Sequence, residues 1–493
     1  MEVIIKTYSI KEQIAYLFSG KVFALLIQFL IPIILVRMLN TIDYGFYLQF
    51  LFVGQFISNL LIFSVPASLY FFLPNSGHKK QQLLSQTFFY FIIISLIFIP
   101  IYQSCGIYLN SIFKDNLFYN KIHLPLGLYI IFSVISSLLE HLFIVEKKSN
   151  FVFFYNTLFI VSKLILITSS LIIFNELIAV FWSLVFIHFI ISIILTVYLF
   201  KNYSLSIFTI KWIFADLLAQ VKYVIPLGLS NVVNQIGKKA DRFIISMFFS
   251  STDFAIYGIA NYKVPVVNLL FPSVSNIIVP EIAKNQKEGN IKEVIRLWHK
   301  MIIMLGAITI PTVMYFFIIA NDLIQILFTE KYIDAVNIYR IFLLSMLILI
   351  LRGTTILMAF GDTKPILNVQ IFYMVASIII GYTLIRFYGL YGGAITFLFI
   401  SSMREIFYVY KSKQILKLPF KKCMPWNELG SISFISLIAT PLAILISFTN
   451  FPILVKLILS FVSYFAVLSV GLNLLGVVNL KKIIMELFGK INN

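Results

Sequence analysis

The chain has 493 residues, 60% of them hydrophobic and 12% charged, with a mean hydropathy of +0.97. A soluble domain carries about 25% charged residues, so a water-soluble core is excluded and most of the chain belongs in lipid. The net charge of +18 does not imply a nucleic-acid partner, because the cytoplasmic loops of a multi-span protein collect Lys and Arg.

The opening residues, through Glu12 and Gln13, mix polar and apolar types. The apolar run from Ile14 to about Met38 is too long for a signal-peptide core, and no small-residue cleavage site follows it. It predicts an uncleaved first span. Apolar runs of about 20 residues then predict about fourteen transmembrane helices. They lie at 14–38, 45–72, 83–108, 124–145, 150–173, 177–200, 222–249, 254–279, 298–320, 338–360, 366–387, 389–411, 430–449 and 452–478. The fold class predicted is an all-α integral membrane protein.

Alternate loops differ in charge. One set, including "SGHKKQQ", "EKKSN", "EIAKNQKEGNIKEVIRLWHK" and "YKSKQILKLPFKK", holds most of the loop Lys and Arg. The other, including "LNTIDYG", "FNEL", "SSTDF" and "FTNFP", holds few. The positive-inside rule therefore predicts that both termini are cytoplasmic. "WIFADLLAQVKYV" and "NLKKIIMELFGKI" alternate apolar and charged positions at helical spacing and read as surface helices on the inner leaflet. Cys105 and Cys423 fall on opposite sides in this topology, which argues against a disulfide. His123, His141 and His188 are scattered, and no metal-ligand spacing or catalytic triad is visible. No cofactor is expected.

A repeat organises the spans. "NTIDYGFY" from Asn40 returns as "SSTDFAIY" from Ser250, with Asp43 and Tyr47 matched by Asp253 and Tyr257, 210 positions on. Each copy is a short outer loop that opens a second helix rich in Asn, Ser and Pro. The odd-numbered helix of one copy pairs with an odd-numbered helix of the other, so the repeat is parallel. The expected organisation is a six-helix bundle over 1–200, a cytoplasmic amphipathic linker over 201–221, a second six-helix bundle over 222–411, and two extra helices with a cytoplasmic tail over 412–493. Duplicated bundles with short loops are a transporter architecture, with substrate expected where the halves meet.

"RMLNTIDYGFYLQFL", "VPASLYFFLPN" and "KADRFIISMFFSSTDFAIYGIANY" resemble polysaccharide flippases of the Wzx type, in the multidrug/oligosaccharidyl-lipid/polysaccharide exporter superfamily. The resemblance extends over essentially the whole chain in helix number, repeat and loop placement. It implies a MATE-like pair of bundles that moves an undecaprenyl-diphosphate-linked oligosaccharide (an O-antigen or capsule repeat unit) from the inner to the outer leaflet of a bacterial inner membrane. It implies membrane lipids, a polysaccharide polymerase and a chain-length regulator as partners. It implies no catalytic signature.

The seventh span, "VVNQIGKKADRFIISMFF", carries Lys238, Lys239, Asp241 and Arg242. Each charge at bilayer depth costs roughly 2.5–3.5 kcal/mol, so a role is expected. Asn231, Asn234 or Gln235, Lys238 and Arg242 recur at three- and four-residue steps on one face. Lys21 and Gln28 share a face of the first helix, and Asn156 and Lys163 a face of the fifth. Asn59 of the second helix adds to the polar lining. Asn261, Asn268 and Ser275 align on the eighth, with Lys263 on another face, and Ser345 and Arg352 align on the tenth. The cations Lys21, Lys163, Lys238, Arg242, Lys263 and Arg352 form a stepped series suited to a diphosphate cargo. The competing reading of the Asn and Gln residues is interhelical hydrogen bonding. Lys456 and Arg404 read as snorkelling near helix ends, and Asp43 and Asp253 as helix N-caps. Asp241 is the candidate for coupling to H⁺ or Na⁺.

A drug or cation exporter of the same fold would need buried acids, whereas the balance within the spans is cationic. A glycan polymerase or ligase would need a long external loop. A lipid II flippase stays open as an alternative.

Overall fold

Within a bilayer every backbone N–H and C=O must be satisfied by the chain itself, so long apolar runs become helices. The computed structural model describes residues 10–75, 80–113, 116–203, 214–262, 265–362 and 364–474. Among these there is no strand. The helices run α1 (Ile10–Met38), α2 (Thr41–Ile62), α3 (Val65–Asn75), α4 (Lys80–Ser104), α5 (Gly106–Phe113), α6 (Asn116–Val145), α7 (Ser149–Phe174), α8 (Leu177–Tyr203), α9 (Phe214–Phe248) and α10 (Ser251–Ala260). They continue with α11 (Pro265–Lys287), α12 (Ile291–Ile318), α13 (Ala320–Phe328), α14 (Ala335–Ile348), α15 (Thr354–Ala359), α16 (Lys364–Tyr388), α17 (Leu390–Leu416), α18 (Trp426–Ser447) and α19 (Ile453–Leu474).

By length and composition, 10 of the described segments can cross a membrane. The other stretches read as spans are helical too, in α1, α9, α10 with α11, and α17. α10 and α11 are separate helices, and α9 and α17 are less apolar than the ten. The stretch read as a separate surface helix ahead of the seventh span runs unbroken into α9 from Phe214. The tail reading, at "NLKKIIMELFGKI", lies outside the described residues.

The chain divides into two compact units. One holds residues up to 236 together with 246–255, and the other holds 237–245 together with 256 onward. In the first unit α1 packs along α7, and α6 packs against α2, α3, α4 and α8. In the second, α16 packs on α17, α11 on α12, and α12 on α14. The C-terminal pair, α18 and α19, packs on α12, where the Tyr315 hydroxyl donates to the Leu457 carbonyl at 3.0 Å and Tyr464 to the Pro311 carbonyl at 3.2 Å.

The repeat is visible in the caps, in a form that differs from the sequence reading. Asp43 and Asp253 are not the cap residues. Asn40 caps α2 by accepting from the Asp43 N–H at 2.8 Å, and its amide donates to the Asp43 carboxylate at 2.8 Å. Ser250 does the same before α10, accepting from the Asp253 N–H at 3.1 Å while its own N–H donates to the Asp253 carboxylate at 3.1 Å. Asp253 therefore closes a capping box with Ser250, Asp43 accepts the Asn40 side-chain amide instead, and both carboxylates sit in the first turn, where the helix dipole favours an anion.

The two copies then diverge. α2 runs 22 residues before Phe63 (φ 46) and Ser64 (φ 60) break it in left-handed conformations that cost energy in a non-glycine residue. α10 stops after 10 residues, at Ala260. Asn261 lies in the turn that follows, so Asn261, Asn268 and Ser275 do not share one continuous helix face. The tenth span breaks as well. A 3-10 turn over Leu349–Leu351 follows α14, and Arg352 is left-handed at φ 45. The seven-residue step from Ser345 to Arg352 therefore does not align them.

Candidate functional site

In the first unit a polar file runs along α6. Tyr129, Ser133, Ser136 and Glu140 follow one another at steps of four, three and four, which places them on one helix face. The Ser133 and Ser58 hydroxyls lie 2.5 Å apart. Ser136 bonds the His188 Nδ1 of α8 at 2.9 Å. The His188 ring stands edge-on to Tyr129 and Phe159, with centroids 5.1 and 5.5 Å away. Lys163 of α7 is half-buried and close enough to His188 to act on it electrostatically. Among the described residues no carboxylate pairs with it. Two turns before it, Asn156 donates to Glu140 at 3.2 Å.

The start of α9 braces this unit. Gln220 donates to Ser68 at 2.8 Å and Thr87 at 3.1 Å. Asn231 donates to Ser64, at the α2–α3 break, at 2.9 Å. A side chain at Gly228 would meet the Phe63 ring at 2.5 Å, so only glycine allows that approach. Asn231 is thus an interhelical bond donor as well as a site candidate.

The second unit holds a charged cluster. Asp241 is 7% exposed and accepts the Tyr257 hydroxyl at 2.5 Å. The matching position in the first copy, Ile31, is apolar, so the repeat carries this acid once. Arg404 pairs with Glu405 at 3.2 Å, with side chains 15% and 8% exposed, and lies over the Tyr373 ring at 4.8 Å. Arg352 lies over Phe271 at 4.7 Å and within electrostatic range of the same Glu405 carboxylate. Among the described residues, the buried Nε atoms of both arginines have no hydrogen-bond partner. Arg404 is therefore no snorkelling terminal residue. It sits mid-helix in α17, held by a carboxylate and a ring. Lys456 does lie near a helix end, where it donates to the Ser447 carbonyl at 3.1 Å.

The remaining candidates are scattered through the same helices. Gln28 and Asn59 are exposed on α1 and α2, Lys238 is exposed on α9, and Asn234, Gln235 and Arg242 are half-buried there. Lys21 is in α1 and Asn268 in α11, with side chains outside the description. Lys263 lies outside the described residues altogether. Sequence reasoning passed over Glu140, His188, Tyr373, Arg404 and Glu405 as a set. Spacing signals for them exist: the α6 file above, and Ser401, Glu405 and Tyr408 at steps of four and three on α17.

Residues 33–337 match the model of a family described as polysaccharide biosynthesis protein. Over 194 residues the chain is 25% identical to the capsular polysaccharide biosynthesis protein CapF of Staphylococcus aureus, a match covering 39% of this chain and about half, 49%, of that relative. Among solved structures, the lipid II flippase MurJ in an inward closed conformation superposes with a TM-score of 0.67 at 17% identity, over 93% of this chain and 99% of that one. An inward-facing multidrug resistance MATE family transporter superposes with a TM-score of 0.62 at 12% identity, over 84% and 96%.

Proposed function

We propose that this chain, which belongs to the polysaccharide biosynthesis protein family, is a flippase for an undecaprenyl-diphosphate-linked oligosaccharide. It has the MurJ- and MATE-like fold of its exporter superfamily. In this reading it lies in a bacterial inner membrane with both termini cytoplasmic, and carries its cargo from the inner to the outer leaflet by alternating access. It is a carrier rather than an enzyme, and its cargo is a capsule or O-antigen repeat unit. The relative named for capsular polysaccharide biosynthesis supports a surface glycan.

The observation that carries the reading is Lys163. A cation near the middle of a 26-residue helix, without a carboxylate partner among the described residues, is expensive unless it meets water or an anionic cargo. Lys21, Lys238, Arg242, Lys263 and Arg352, the last beside the Glu405 carboxylate, are further cations assigned to the cargo path, with Gln28, Asn59, Asn156, Asn231, Asn234, Gln235, Asn261 and Asn268 as polar lining. A diphosphate moving outward descends an inside-negative potential by about 2.3 kcal/mol per charge per 100 mV. A cationic drug would need a free buried acid, whereas Asp241 and Glu405 are both engaged. Asp241 remains the proposed group for H⁺ or Na⁺ coupling.

Deleting the gene should remove the surface glycan and leave the lipid-linked oligosaccharide on the cytoplasmic leaflet, measured by extraction and by accessibility to an impermeant glycosidase. Loss of glycan with no accumulated lipid-linked precursor would sink the proposal. Orientation is tested separately by single cysteines at positions 116 and 290. An impermeant maleimide added to intact cells should mark 116 and spare 290, and the reverse pattern would overturn the topology. Cys105 is replaced by serine for this test. Cys423 is buried outside the spans, and burial pushes its thiol pKa up, so it reacts slowly.

A further inference from the structure

The α16–α17 pair forms an open groove of about 500 Å³ that the transport reading does not use. Its walls are apolar, with Phe372, Ala376, Ile380 and Phe399 among them, and its polar residues are Asn368 and Arg404. From Asn368 to Ile380 the helix rises about 18 Å at 1.5 Å per residue. That is close to the depth of one leaflet, half of a hydrocarbon core of about 30 Å. Asn368 and Lys364 are exposed at one end, which is the cytoplasmic end in the proposed orientation. Arg404 lies deeper, resting on Tyr373.

The charge balance at this point is incomplete. Among the described residues, Arg352 and Arg404 share the Glu405 carboxylate, and the buried Arg404 Nε has no hydrogen-bond partner. A guanidinium paired through one nitrogen keeps donors for a second anion. A groove that is apolar below an arginine that shares its carboxylate, with an exposed lysine one turn beyond its cytoplasmic mouth, matches a phosphate-headed lipid.

We infer that the α16–α17 groove binds an anionic glycerophospholipid of the cytoplasmic leaflet, its phosphate against Arg404 and one acyl chain along Phe372, Ala376, Ile380 and Phe399. The bound lipid fills a cleft in the second unit and stabilises it. Below Arg404, from Tyr373 to Ile380, the helix rises about 10 Å, so the groove holds the upper part of one acyl chain. The inference rests on the proposed orientation but not on the identity of the cargo.

The test uses the purified full chain, with lipid retention read by native mass spectrometry and stability by thermal unfolding. Phosphatidylglycerol should be retained and raise the melting temperature, and phosphatidylcholine should do neither. Arg404→Ala should weaken phosphatidylglycerol binding by about tenfold, the loss of one charge-assisted contact, and Arg404→Lys by less. Ala376→Phe fills the groove without touching a charge, so it keeps the test sound if Arg404→Ala folds poorly. It should abolish retention. Equal binding of phosphatidylcholine, unchanged retention in Ala376→Phe, or preferential binding of undecaprenyl phosphate at the same site would each overturn the inference.

Discussion

Replacing Lys163 by alanine should reduce surface glycan export to near background while the protein stays in the membrane at normal level. The ammonium is half-buried at mid-helix beside His188 and has no carboxylate to release among the described residues. Its removal therefore leaves no stranded charge and little structural penalty. If it meets a phosphate during transport, losing a charge-assisted contact costs about 1.5–3 kcal/mol, or roughly ten- to a hundredfold in rate. Lys163→Arg should keep much of the activity, because charge matters more than shape for a ligand in motion. Lys21→Ala and Lys238→Ala belong to the same series. The measurement is complementation of a deletion strain, with glycan and membrane abundance quantified together. Normal export in all three alanine variants would make these lysines tolerated passengers and end the cationic-path account.

Glu405→Ala should act on the protein itself. It strands Arg352 and Arg404, two guanidiniums that share this carboxylate. Removing one partner of a buried pair costs about 3–5 kcal/mol. Membrane abundance should fall sharply, and the purified variant should melt many degrees lower. Glu405→Gln should be milder, since it still accepts a hydrogen bond. Coupling Glu405→Ala with Arg404→Met should recover part of the loss, because the double variant buries one charge fewer. A Glu405→Ala protein with unchanged abundance and melting temperature would show that the pair contributes nothing to stability.

Much of the fold was legible because lipid imposes one solution on apolar runs of 20 residues, and because the repeat at Asp43 and Asp253 is written in matching letters. The breaks were not legible. Phe63, Ser64 and Arg352 adopt left-handed conformations without being glycine, so no residue type announces them. The break at Arg352 undid the face argument there, and the end of α10 at Ala260 undid the one at Asn261. The caps were half legible: the aspartates were found, but the Asn40 and Ser250 side chains accept the first-turn N–H groups. At the site, isolated cations stood out by their insertion cost. Arg404 reads as a helix-end residue in the sequence because the apolar run stops near residue 411, whereas α17 extends to Leu416. His188 and the serines of α6 were passed over because weakly polar residues cost little one at a time. Their meaning comes from α6, α7 and α8 meeting in space.

On the proposed function, this chain moves a diphosphate-linked glycolipid across a bilayer. The most direct measurement reconstitutes the purified protein in liposomes loaded with undecaprenyl-diphosphate-linked oligosaccharide in both leaflets. An impermeant glycosidase then reports the accessible fraction. In protein-free liposomes only the outward-facing share should be cleaved. With the protein, cleavage should proceed toward completion, and Lys163→Ala should return it to the protein-free level. Cleavage that stops at the outward-facing share in the presence of folded wild-type protein, with and without an inside-negative potential, would contradict the account.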